Sequence, residues 1–230
     1  MSDRVVAVHQ PNYLPWLGYF HKLAASDTFV LLDAVQFPRG QSFAARNRIK
    51  TPNGVNFLIV PTSVPKGRKG KASYLEVAFA EPRWRDKHLK TVEMSYAKAP
   101  HYDEVFDLYR SALDGPTLVD VNVALIDAFA KYLGIETKRV RLSELLPDFG
   151  QKTELIVEVC RALGADVYLS GSGGGQEYTE EERLAEEGIE LRFDSFEPRP
   201  YPQLWGEFEP GLSALDALMN CGRDARSLLD

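Results

Sequence analysis

The first 33 residues constrain the fold more than any other stretch of the chain. Val5-Val6-Ala7-Val8 is an unbroken apolar run ending at His9-Gln10, the pattern of a short buried strand. Pro11 and Pro15 exclude regular helix from the residues that follow. Leu17, Phe20, Leu23 and Ala24 then recur at helical spacing, and Thr28 to Leu32 forms a second apolar run closing at Asp33. Strand, loop, helix and strand in this span predict a parallel pair joined by a crossover helix. The expected class is therefore layered α/β, with a mostly parallel sheet and a Rossmann-like βαβ opening.

Downstream, residues 57–60 and 74–79 have strand character on either side of a basic loop, which predicts a β-hairpin insertion. A helical segment follows, with helices expected over 82–97, 103–113 and 119–133, the last stopped by Gly134. Strand and helix then alternate: strand 138–142, helix 152–163 stopped by Gly164, strand 166–169, a helix opened by the Thr179/Glu182 capping box, and strand 189–193. A proline-rich run (Pro198, Pro200, Pro202, Pro210) leads to a last helix over 212–219. With no repeat and no clean linker, residues 1–230 read as a single domain. Gly115-Pro116 is the best candidate break, between a part with the basic hairpin (1–114) and an α/β part (117–230).

With 44% hydrophobic residues over 230 positions, the chain can bury its core without disulfides or a structural metal. Cys160 and Cys221 show neither C-x-x-C nor Cys/His spacing, which argues against a redox motif and a zinc site. Neither a secretory h-region nor a run of about 20 apolar residues is present, so a reduced, cytoplasmic protein without a membrane partner is expected. The net charge of −6 hides an asymmetry: residues 1–110 balance at +6 and the remainder at −12. No Asp or Glu occurs between Asp33 and Glu76, an interval holding Arg39, Arg46, Arg48, Lys50, Lys66, Arg68, Lys69 and Lys71. Such a one-sign interval favours an anion. Arg46 and Arg48, flanking Asn47 among apolar neighbours, suit bidentate binding of phosphate or carboxylate, with structural ion pairs as the alternative. The acidic balance argues against a DNA partner, while a tRNA-borne donor needs only a local basic patch.

In open α/β sheets ligands bind beyond the carboxyl ends of the strands, which singles out His9, Gln10, Asn12 and Tyr13. His9 could act as a general base, donate a hydrogen bond to an anion, or be a satisfied strand-end histidine. Asp33 and Gln36 follow the next strand and, if the strands are neighbours, face the same crevice. A carboxylate with an imidazole can activate or orient an amine or hydroxyl. The run from Ser170-Gly171 to Gly175 follows a later strand and offers backbone N–H groups to an anion, although it lacks the lysine of a P-loop. Gln203, among Tyr201, Trp205 and Phe208, could line a ring-sized pocket or belong to the core. No motif for covalent catalysis is present, no motif requires a cofactor, and no metal ligand set is evident.

His9-Gln10-Pro11-Asn12-Tyr13-Leu14-Pro15-Trp16-Leu17-Gly18-Tyr19-Phe20, followed by Asp33-Ala34-Val35-Gln36-Phe37, resembles the opening of the WbqC-like family. Arg46-Asn47-Arg48-Ile49-Lys50, Trp84-Arg85-Asp86-Lys87-His88, Tyr96-Ala97-Lys98-Ala99-Pro100, Ser170-Gly171 with Tyr178, and the run from Leu212 to Gly222 extend the likeness along the chain. The resemblance implies a place among proteins that build surface polysaccharides such as O-antigen. It further implies acyl or aminoacyl transfer to the amine of a nucleotide-linked amino sugar, with an activated donor as second substrate. Two other readings stay open: an ATP-binding, adenylyl-transferring or ligase-type enzyme on the same sheet, and a non-catalytic ligand-binding or scaffold subunit.

Overall fold

The computed structural model describes residues 3–40, 42–171 and 180–230. In chain order the elements are β1 (Val5–His9), α1 (Leu17–Ala24), β2 (Thr28–Leu31), β3 (Arg46–Thr51), β4 (Gly54–Ile59), β5 (Thr62–Ser63), β6 (Ala78–Phe79), α2 (Trp84–Tyr96), α3 (Tyr102–Ala112) and α4 (Leu118–Tyr132). They continue with β7 (Lys138–Arg141), α5 (Leu142–Leu145), α6 (Thr153–Leu163), β8 (Val167–Ser170), α7 (Glu181–Ala185), β9 (Glu190–Phe193) and α8 (Ala214–Cys221). Two compact units emerge, each assembled from separated stretches. One comprises residues 1–10, 21–33 and 136–197, the other 11–20, 34–135 and 198–230.

The first unit is built on a five-stranded sheet of order β7-β2-β1-β8-β9, with every pairing parallel. Counting only its own strands along the chain, that order is 3-2-1-4-5, a doubly wound arrangement. Residues Val6 and Ala7 of β1 and Phe29 and Val30 of β2 are fully buried, as strands covered on both faces must be. Asp27 and Asp166 fix the sheet's amino-terminal rim by accepting the Val5 N–H at 2.7 Å and the Arg4 N–H at 2.8 Å. Gly164 closes α6 at φ 61°, the left-handed conformation that lets a helix stop and the chain turn into β8. The expected mixed α/β class and parallel opening pair are what the structure shows.

The second unit holds the helices α2, α3, α4 and α8 and two small antiparallel pairs, β3–β4 and β5–β6. Its hairpin is not the expected pairing of 57–60 with 74–79. Arg46 instead faces Ile59, and Thr51 faces Gly54 across a Pro52-Asn53 turn, while Tyr74–Glu76 is a single 3₁₀ turn. The Thr51 hydroxyl donates to the Gly54 carbonyl at 2.8 Å and accepts the Asn53 N–H at 3.2 Å, which pins the turn so that the strand begins at Gly54 rather than at Phe57. Tyr13, Phe20, Trp84, Tyr96, Tyr109 and Phe129 form a wholly buried aromatic core. Gly115-Pro116 lies between α3 and α4 of this unit. The Thr179 capping box falls outside the described residues. No described helix is long and apolar enough to cross a membrane.

Candidate functional site

Sheet order locates the topological switch point of the first unit. The strand sequence reverses direction between β1 and β8, and right-handed crossovers to either side of that point lie on opposite faces of the sheet. The carboxyl ends of β1 and β8 are therefore the place where ligands bind in open sheets of this order. His9 and Gln10 stand at one end, and Ser170 and Gly171 at the other. Four of the expected binding positions thus share one strand edge.

His9 is half-buried, and its Nδ1 lies 3.0 Å from the Gln10 carbonyl. A carbonyl only accepts, so in the neutral ring Nδ1 carries the hydrogen and Nε2 the lone pair. Burial, aided by the positive charge of Lys22, drives the ring's pKa down to about 3, against the opposing effect of the bond to Gln10. The imidazole is neutral throughout the physiological range.

Lys22 was not anticipated. It is 4% exposed, and its Nζ donates to the Val8 carbonyl at 2.9 Å, one residue before His9. A side chain at Gly171 would bring its Cβ within 3.8 Å of the same nitrogen, so the ammonium sits beside the end of β8 as well. Burial lowers its pKa to about 8, and the Asp194 carboxylate acts in the other direction. Asp194, 9% exposed, follows β9 and donates its N–H to the Ser170 carbonyl at 2.7 Å. Its Oδ1 lies 2.7 Å from Nδ1 of His21, whose ring packs at 5.3 Å on Phe196. A neutral acceptor (His9) and a buried cation (Lys22) therefore share the strand edge. The signal for Lys22 in the sequence is a lysine inside a helix whose neighbours Leu17, Phe20 and Leu23 are all core.

Asp33 closes β2 in the same unit with no exposed surface. It accepts from Arg141 Nε at 2.7 Å and from the Ser143 N–H and hydroxyl at 2.9 and 2.7 Å. Its oxygens thus tie the end of β2 to the end of β7. Ser170 is fully buried, and Tyr178 lies outside the described residues.

The remaining expected residues belong to the second unit. Asn12 is half-buried. Tyr13 is wholly buried, and its hydroxyl stands 2.8 Å from His88 Nδ1 and 2.9 Å from the Tyr109 hydroxyl. His88 Nε2 faces the Ile59 carbonyl at 3.1 Å and must donate to it, so Nδ1 accepts from Tyr13 and Tyr13 accepts from Tyr109. Gln36 donates to the Gly70 carbonyl at 2.8 Å. The Arg46 guanidinium lies 4.4 Å over the Phe57 ring. Arg48 donates to the carbonyls of Pro210 and Gly211 at 3.2 and 2.8 Å, with Glu209 4.0 Å away, so it fastens the segment before α8. Gln203 accepts from Lys50 Nζ at 3.1 Å and from the Glu209 N–H at 2.8 Å, and donates to the Glu209 carbonyl.

A buried polar network in this unit was also unforeseen. Asp216, on α8 with no exposed surface, accepts from the hydroxyls of Tyr96 at 2.8 Å and Tyr201 at 2.9 Å. Lys50, 5% exposed, adds positive potential beside it. Among the described residues no three His, Cys, Asp or Glu side chains gather as a metal ion would require.

Strand order and pairing together define a doubly wound α/β protein. The WbqC-like protein family matches residues 10–228, and the chain belongs to it. It is 34% identical over 229 residues to the uncharacterized protein Rv1507c of Mycobacterium tuberculosis, an alignment covering 97% of this chain and 96% of that one. No solved structure matches.

Proposed function

We propose that the protein is a group-transfer enzyme that forms an amide on the amine of a nucleotide-linked amino sugar, as part of polysaccharide biosynthesis. The observation that carries this reading is the neutral His9 ring beside the buried Lys22 ammonium at the switch point of the sheet. The attacking amine must keep its lone pair, and a weakly basic imidazole accepts a hydrogen bond from it without competing for that pair. As the C–N bond forms, the nitrogen becomes cationic and acidic, and its proton passes to His9 Nε2. The carbonyl π electrons move onto oxygen, where the positive potential of Lys22 favours them. Collapse of the tetrahedral adduct expels the donor's leaving group with its electron pair, and His9 returns the proton to it. Asp33 acts as a positioning residue, holding the β2 end through Arg141 and Ser143.

The test is to incubate the protein with a nucleotide-linked amino sugar and, separately, an acyl thioester or an aminoacyl-tRNA, and to follow the sugar nucleotide by mass spectrometry. The expected outcome is an amide product whose formation falls about 100-fold or more in His9→Ala. Absence of amide with both donors, or an undiminished rate in His9→Ala, overturns the reading.

A second reading is favoured by the strand order alone: a 3-2-1-4-5 sheet places nucleotides at the same switch point, which would make this strand edge an ATP site of an adenylyl-transferring enzyme. Calorimetric titration with ATP, with and without magnesium, separates the two, because acyl transfer from a preactivated donor needs no ATP.

A further inference from the structure

The second unit contains a pocket of about 460 Å³ that none of the residues discussed above as the strand-edge site lines. Its walls are Phe37, Pro38, Arg39, Thr62, Val64 and Lys69, closed by small residues of the loop before Tyr74. The volume lies in the range of small-molecule sites, roughly 300–1,000 Å³. Among the described residues no carboxylate lines it.

The frame around it is fixed by the backbone. Phe37 N–H donates to the Ala72 carbonyl at 2.8 Å and Tyr74 N–H to the Val35 carbonyl at 3.0 Å, so the two loops run edge to edge. Phe37 packs its ring against Tyr74 at 5.1 Å. Gly70 has φ 72°, and a Cβ there would lie 2.1 Å from Nε of Arg39. The missing side chain is thus what lets the Arg39 guanidinium lie along this loop, with Nη2 3.3 Å from the Gly70 carbonyl.

Charge decides what such a hollow would hold. Glu76, the first carboxylate after Asp33, is already taken: Arg68 grips it with Nε and Nη2 at 3.0 and 2.9 Å, and the Ser73 N–H donates to it at 2.7 Å. Lys69, by contrast, makes no hydrogen bond or ion pair among the described residues. Two cations without a counter-charge among the described residues therefore meet an apolar wall containing one aromatic ring and one proline. Phosphate oxygens suit the cations, and a flat ring suits the wall.

We propose that this pocket binds a phosphorylated small molecule of the nucleoside diphosphate kind, with the phosphates between Arg39 and Lys69 and the ring against Phe37 and Pro38. The site is argued from this unit alone and stands whether or not the strand edge transfers an acyl group. An RNA strand fits less well, because it needs basic groups spaced along a groove rather than two converging on one hollow.

The experiment is calorimetric titration of the intact protein with UDP, inorganic pyrophosphate, uridine and a single-stranded RNA oligonucleotide. UDP is expected to bind, pyrophosphate more weakly, and uridine not measurably. The double variant Arg39→Gln/Lys69→Gln and the single variant Val64→Glu should each weaken UDP at least tenfold. Lys66→Gln, in the same basic stretch but outside the lining, should leave it unchanged. All four substituted positions lie at the surface or half-buried, and an unaltered thermal midpoint confirms that the variants fold. Failure of both UDP and pyrophosphate to bind at millimolar concentration overturns the proposal, as does RNA binding alone. UDP affinity untouched by both sets of variants also overturns it and sends the nucleotide to another site.

Discussion

Asp216 is a carboxylate with no exposed surface in a helix whose every neighbour from Ala214 to Met219 is buried. Burial raises its pKa, and the two tyrosine hydroxyls pull the other way. Asp216→Ala should cost roughly 3 kcal/mol or more, because it strands two buried hydroxyls and the Lys50 charge together. Urea unfolding measures it, and Asp216→Asn, which keeps an acceptor, should cost less. His88 gives a pH dependence of opposite origin. Burial lowers its pKa from 6.5 to about 4, so between those values the unfolded chain holds a proton that the folded one refuses. The contribution is therefore full above about pH 6.5 and is lost as pH falls towards 4, amounting to about 3 kcal/mol. Denaturation midpoints taken between pH 4.5 and 7.5 should fall less steeply in His88→Gln. At this scale the sequence pointed to His9 through its place at a strand end, whereas Lys22 escaped because helical spacing marks apolar residues and is blind to a lysine folded back onto a carbonyl.

Among the elements, the parallel strands were legible because both faces are buried and their apolar runs are continuous: Val6–Val8, Phe29–Leu31 and Val167–Leu169. The β3–β4 hairpin was not, for a physical reason. β3 carries Arg46, Arg48 and Lys50 at alternate positions, each head committed to a ring or a carbonyl, so a strand that is mostly covered reads as a charged loop. β4 is mostly exposed, and its alternating apolar residues include Val55 and Ile59, which face solvent rather than a core. The Asn53-Gly54 pair was the local hairpin signal. Gly54 holds φ 99°, a region costly for any other residue. Gly54→Ala should destabilise the protein by about 1 kcal/mol or more, read as a lower urea midpoint at unchanged slope.

For the whole molecule, the sheet's centre is its most distant pairing. β1 lies between β2, some twenty residues on, and β8, whose Val167 pairs with Val5. Removing residues 1–9 should therefore abolish folding of the sheet unit rather than trim an edge. The expected outcome is loss of the cooperative thermal transition, checked by circular dichroism and calorimetry. Break signals such as Gly115-Pro116 did not disclose the two units, since a chain that leaves a core and returns needs no linker at the crossing.

That weaving has a consequence for how such a protein changes over generations. The polypeptide passes from one unit to the other five times, at 10/11, 20/21, 33/34, 135/136 and 197/198. A single recombination breakpoint anywhere inside the gene splits at least one unit, so neither can be traded by simple end-to-end fusion. The pair is inherited as one piece, and divergence in either must proceed by point substitution and by growth of loops.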